Sequence, residues 1–207
     1  FDGRSGAEMH NQVVAYAHAA RNHGPAFRWL AFIDSDEFMV PVTADDLTAA
    51  LAPLEDSGLV SLPWHMFGRN GHEAIPEGGV LENYAARSDP TAGRHGRNWK
   101  CLVDPTQITG LRVHSFDIDG RAEGVNDAGV LSAHKDRATP AFYSRAAIQL
   151  NHYYTRSNAE LQAKISRGSN KVVARDKHVQ RVMRIVDEIE TDTVQDRTAL
   201  DFLARRT

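Results

Sequence analysis

An uninterrupted apolar run that ends in carboxylates does most to restrict what this chain can fold into. Residues 28–33 read Arg-Trp-Leu-Ala-Phe-Ile, and Asp34, Ser35 and Asp36 follow at once. A short apolar run bounded by polar residues fits a buried strand of an α/β sheet. In extended backbone Asp34 and Asp36 project to the same side. Two like charges there repel unless a cation or a set of donors holds them. Hard oxygen ligands of this kind suit Mg²⁺ or Mn²⁺, which bridge to phosphates. Ligand sites of α/β sheets also lie beyond the carboxyl ends of strands. An isolated Asp-x-Asp pair reads more readily as a solvated acidic turn, and the preceding strand is what favours a site. Phosphatases with an aspartyl nucleophile carry Thr or Val two residues after the second Asp. Here that residue is Phe38, which argues against them.

The rest of the chain reads as one α/β domain over residues 1–207, a mixed sheet flanked by helices with further helices at the C-terminal end. With 42% hydrophobic and 25% charged residues it belongs to the globular class. A net charge of -3, with no basic run, gives no reason to expect nucleic acid. The single cysteine, Cys101, excludes an internal disulfide framework and fits a reducing compartment. No apolar stretch approaches the roughly 20 residues of a membrane span. The expected location is cytoplasmic, compatible with peripheral attachment to a membrane.

Spacing predicts helices over residues 9–21, 177–190 and 196–205, the last burying Leu200 and Leu203. A short helix over 45–54 is expected to be capped by Thr43, and Ser157 with Glu160 forms a capping-box pattern before another. Strands are expected at 58–64, 80–85, 100–103, 107–113 and 147–153. Residues 68–97 look like long loops around the strand at 80–85, and loops of that length tend to be functional. Ten histidines invite a zinc site, but no ligand cluster of zinc spacing is present.

The residues from Trp29 to Phe38 resemble a W-x-x-x-x-D-x-D-E-F signature of GT-A glycosyltransferases of the family 2-like and family 92-like group. Further blocks match in order: Trp64 to Gly68 resembles their W-x-x-F-G, Lys100 to Pro105 a K-x-x-x-x-P strand, and Val113-His114 a strand ending in His. Leu150 to Thr155 resembles the closing H-Y block, and Lys164 to Gly168 the basic helix after it. The resemblance covers residues 10–170. It implies a GT-A-like, Rossmann-like fold and metal-dependent transfer of a sugar from a nucleotide-sugar donor to a glycan or other hydroxyl acceptor, with inversion. Only 33 residues precede Asp34, too few for the first βαβ half of a GT-A domain. The expectation is therefore either a fragment or incomplete nucleotide binding, with a non-catalytic carbohydrate- or nucleotide-binding remnant as the alternative.

By the same resemblance Asp36 and His152 would hold Mn²⁺ or Mg²⁺, and Asp34 would reach the ribose or a metal-bound water. Lys164 and Arg167, one helical turn apart, would clamp the diphosphate, with Lys100 a lesser candidate. Trp64 and Phe67 would offer aromatic faces to the acceptor sugar. An inverting enzyme needs a general base. The candidates are Asp117 first, then Glu37, His114 and Asp127.

Overall fold

The computed structural model describes residues 7–89, 98–168 and 175–206. Its centre is a mixed sheet. Strand β3 (Leu59–Phe67) lies in the middle, antiparallel to β5 (Trp99–Val103) and parallel to β10 (Ile148–Tyr153). Strand β1 (Leu30–Ala31) continues the sheet antiparallel to β5, and β2 (Glu37–Pro41) closes the other side antiparallel to β10. The order is β1-β5-β3-β10-β2. Short strands extend it: β4 (Ala86–Ser88) joins β3 to β11 (Thr193–Gln195), and β8 (Gly124–Val125) joins β3 to β9 (Leu131–Ser132). A separate hairpin is formed by β6 (Ile108–Leu111) and β7 (Phe116–Ile118). The mixed α/β architecture agrees with the sequence expectation.

The period of two along β3 splits the core. Val60 and Leu62 pack on one face against Ala50, Leu51 and Leu54, contributed by α2 (Leu47–Leu51) and the 3₁₀ turn after it. Leu59 points to the other face, with Trp99, Cys101, Val103, Phe116 and Ile118. There α1 (Ala7–Asn22) presses in through Tyr16, whose ring stacks on Phe32 at 4.0 Å. Farther along β3, Met66 meets Ile185 and Ile189 of α5 (Arg175–Glu190). Leu161 of α4 (Asn158–Arg167) packs on Val182 and Val186 of the same helix. Each such fully buried side chain stabilises the fold by roughly 1.5–3 kcal/mol.

Several local expectations need correction. The strand at 28–33 shrinks to two paired residues, because the chain turns at Asp34, whose carbonyl accepts from Glu37 N at 3.0 Å. The short helix is capped by Asp46, not Thr43: the Asp46 carboxylate accepts from Ala49 N at 2.8 Å. The strand expected at 80–85 is instead the helical turn α3 (Val80–Asn83). The Glu82 carboxylate accepts from Gly79 N, and Tyr84 N donates to Val80 O. The last helix, α6 (Thr198–Ala204), buries Ala199 and leaves Leu200 and Leu203 half-buried. Asp196 does not begin it but is buried against Arg87 at 2.5 Å. The Ser157–Glu160 capping box is present, with Ser157 Oγ accepting from Glu160 N. Residues 90–97, the end of the loop-rich stretch, lie outside the described residues.

Candidate active site

Pleating places the chemistry on one face. Lys100 alternates with Trp99 and Cys101 and so joins the face of Val60 and Leu62. Trp64 lies two residues beyond Leu62 on that face. His152 lies there too, because Leu150 is opposite Trp64 in the parallel register of β10. Glu37 is opposite His152 across the β2–β10 pair. The turn at 34–36 crosses beneath these side chains. Its position is fixed by the Tyr153 N to Asp36 O bond at 2.9 Å.

The two aspartates have different partners. Asp34 Oδ2 accepts from Lys100 Nζ at 2.9 Å. Lys100 is 1% exposed in its side chain and also lies 3.6 Å from Glu37 Oε2. Burial alone would weaken the Lys100 ammonium, but Asp34 and Glu37 outweigh it and raise its pKa. Glu37 is 3% exposed; its Oε2 accepts from Asp34 N at 2.8 Å, while Oε1 has no partner within the protein. Burial holds the Glu37 pKa above the usual range, against the Asp34 backbone donor and Lys100. Asp36 faces away from this pair, with Oδ2 at 3.6 Å from His152 Nε2. Burial works against its charge, yet His152 and Lys164 prevail and its pKa is lowered.

Beside Asp36 lies a polar pocket of about 250 Å³, lined by Tyr154, Arg156, Lys164, Arg167 and His178 among others. Lys164 Nζ donates to Tyr154 O at 2.7 Å and sits 3.4 Å from the centre of the Tyr154 ring. Burial above all, with Arg167 and Arg156, pushes the Lys164 ammonium down to about 8, against the pull of Asp36. On the other side of the turn, past Asp34 and Ser35, an apolar groove of about 980 Å³ runs between Trp29, Ile33, Phe38 and Met39 and the helix α2.

Trp64 is flanked edge-on by two imidazoles, His152 at 4.4 Å and His114 at 5.7 Å between ring centres. Trp64 Nε1, His114 Nδ1 and His152 Nδ1 are all buried with no hydrogen-bond partner within the protein. Unpaired buried polar atoms are costly, and these three belong to rings that lie against one another beside the acidic turn. Burial, and then Lys100, hold His114 below its ordinary pKa.

The structure thus brings Asp34, Asp36, Glu37, Trp64, Lys100, His114, His152, Lys164 and Arg167 around one turn. Three expected residues stand elsewhere. Phe67 is 1% exposed and stacked on Tyr153 at 4.7 Å, so it presents no face to a sugar. Asp117 is on the β6–β7 hairpin, its carboxylate bridged by both terminal nitrogens of Arg112 at 2.9 Å. Asp127 accepts from Ala147 N and Ile148 N and so anchors the start of β10. The pocket also includes Arg156 and His178, which sequence reasoning passed over. Arg156 precedes the capping box by one residue; nothing local marks His178, which reaches the site only through the packing of α5.

Among the described residues no group of three or more His, Cys, Asp or Glu converges as a metal cage. The Asp36–His152 pair sets one hard oxygen and one imidazole nitrogen 3.6 Å apart, the donor types that could hold a divalent cation.

Fold and site together define an α/β protein with an acid–imidazole pair opening onto a basic pocket. A model of glycosyltransferase family 92 matches residues 2–188, and the chain belongs to that family. Membership implies glycosyl transfer, with a nucleotide-sugar donor and a glycan acceptor in general terms. A search of curated proteins finds no match to the chain.

Proposed function

We propose that this chain is a GT-A-type transferase that moves a sugar from a nucleotide-diphosphate sugar to a glycan or other hydroxyl acceptor, by direct displacement with inversion. The supporting observation is the Asp36–His152 pair, 3.6 Å apart, at the mouth of a pocket that carries Lys164 and Arg167. The residues present fit Mn²⁺ or Mg²⁺, held by Asp36 and His152; bound there, the ion would neutralise charge on the departing diphosphate. Lys164 and Arg167 attract the same diphosphate from the other side. Lys100 immobilises Asp34 by one carboxylate oxygen and leaves the other for a ribose hydroxyl.

The base is chosen by elimination. Arg112 engages Asp117, and Asp127 is 3% exposed and holds the start of β10 through two backbone donors to Oδ2. Glu37 is buried with a raised pKa and has spent one oxygen on the turn. His114 keeps a neutral ring with Nδ1 unpartnered, the state a base requires. In the transfer step the acceptor oxygen bonds to the anomeric carbon, the bond from that carbon to the phosphate oxygen breaks, and the acceptor proton goes to His114. Trp64 borders the acceptor through its indole N–H and not as a stacking platform, since both imidazoles crowd its ring.

The test is release of nucleoside diphosphate from a panel of nucleotide sugars in the presence of Mn²⁺ and simple glycoside acceptors. Acceptor-dependent release with at least one donor is expected. Metal-dependent binding of nucleoside diphosphate with no turnover on any donor would point to a non-catalytic binding remnant.

A further inference from the structure

The basic pocket gathers Arg156, Lys164, Arg167 and His178 around a small volume. Its cations come from three places in the chain. Arg156 lies just before α4, Lys164 and Arg167 are in the last turns of α4, and His178 is on α5. The carboxylates there are Asp36 and Glu160, and both are engaged. Glu160 closes the capping box with Ser157 and accepts from Arg156 Nε at 2.8 Å, and Asp36 faces His152. Against these two acids stand Arg156, Lys164 and Arg167, so the pocket is net positive before any histidine is protonated. Two polar atoms lining it, His178 Nε2 and Thr155 Oγ1, are buried and have no hydrogen-bond partner within the protein. Buried donors left unpaired beside a surplus of cations suit an anion with several acceptor oxygens. At about 250 Å³ the pocket is a quarter of the size of the neighbouring apolar groove and suits a compact group.

We infer that Arg156, Lys164, Arg167 and His178 form a cradle that binds a diphosphate group by itself, without a divalent cation. This deepens the transferase reading and rests on it for the identity of the natural ligand. It assigns the affinity for the diphosphate to the chain's own cations and restricts a metal at Asp36 and His152 to the chemical step. Arg156 and His178 become donor-positioning residues. It also gives Asp36 an unusual sign: with no metal present, its carboxylate only repels the diphosphate.

The test is calorimetric titration of inorganic pyrophosphate into the whole chain in EDTA at low and moderate salt. Binding is expected without metal, weakening as salt rises. Arg167→Gln, at an exposed position, should weaken it about tenfold, the usual effect of losing one charge-assisted contact. His178→Ala should weaken it by a smaller factor, with thermal melting confirming that both variants fold. Asp36→Asn should leave binding intact or tighten it. Binding that requires Mn²⁺, or that Asp36→Asn abolishes in EDTA, overturns the cradle. So does binding in EDTA that none of these substitutions changes. The transferase reading is judged separately by turnover: a protein that binds pyrophosphate in EDTA but transfers no sugar refutes that reading alone. One that transfers sugar yet binds pyrophosphate only with metal refutes the cradle alone.

Discussion

Asp34 and Asp36 are separated by one serine, yet they have opposite surroundings. Asp34 is neutralised by a buried lysine, whereas Asp36 looks toward an imidazole and a basic pocket. The spacing of the carboxylates was legible in the sequence, and so were Lys100, His152 and Lys164 through the ordered blocks. Their division of labour was not, because it depends on the turn at Asp34 and on which face of β5 carries Lys100. The ion pair of Asp117 was hidden for a similar reason: its partner Arg112 lies five residues earlier and meets it only once the β6–β7 hairpin closes. At this scale His114→Asn is expected to lower kcat by about 10²–10⁴, the usual contribution of a general base, while pyrophosphate affinity is retained. An unchanged pH–rate profile and kcat in that variant would remove His114 from the chemistry. Lys100→Met should leave Asp34 and Glu37 as an uncompensated acidic pair. A fall in melting temperature is expected that partly recovers when Asp34→Asn is added, because one of the two repelling charges is then gone.

Elements set the site by register. The β3–β10 pairing puts Trp64 opposite Leu150 and brings His152 to the front of the sheet, and β2 returns Glu37 to the same place. Long periodic elements such as β3, β10, α4 and α5 were legible, since burial fixes their pattern. The short ones were not: α3 was mistaken for a strand because Val80 and Leu81 are apolar, while the turn is decided by Glu82. The element most exposed to a single substitution is the C-terminal clasp. Asp196, just after β11, is 5% exposed and bonded to Arg87 of β4, with its pKa lowered to about 2, against burial, by that guanidinium and Thr198. Arg87→Met removes the nearer, buried cation and leaves that charge only the half-exposed Arg145 at 3.3 Å and the Thr198 N donor, and a loss of about 3 kcal/mol, the low end for breaking a buried pair, is expected by denaturant titration. A loss below 1 kcal/mol would show that the clasp is not coupled to the core.

For the molecule as a whole, net charge and composition limited the partners but named none, and no helix among the described residues is long and apolar enough to cross a membrane. Stability should depend on pH through His65, which is fully buried, hydrogen-bonded by Tyr143 at 2.6 Å and pushed down to about 3 by burial and then Arg87. Below the ordinary histidine range the unfolded chain takes up a proton that folded His65 refuses. Stability is therefore full above about pH 6.5 and falls as pH drops toward 3, by about 1.4 kcal/mol per unit. Between pH 6.5 and 5 this amounts to about 2 kcal/mol, and a His65→Asn variant should lose most of that slope in urea titrations. Equal slopes in both proteins would contradict the assignment. We propose the turn at Asp36 as the place where the sugar leaves its diphosphate, and kcat for sugar transfer in Asp36→Asn tests this most directly. A fall of about 100-fold or more is expected, the scale of losing a principal electrostatic group, in a protein that still folds and still binds pyrophosphate. Transfer at the wild-type rate would contradict it.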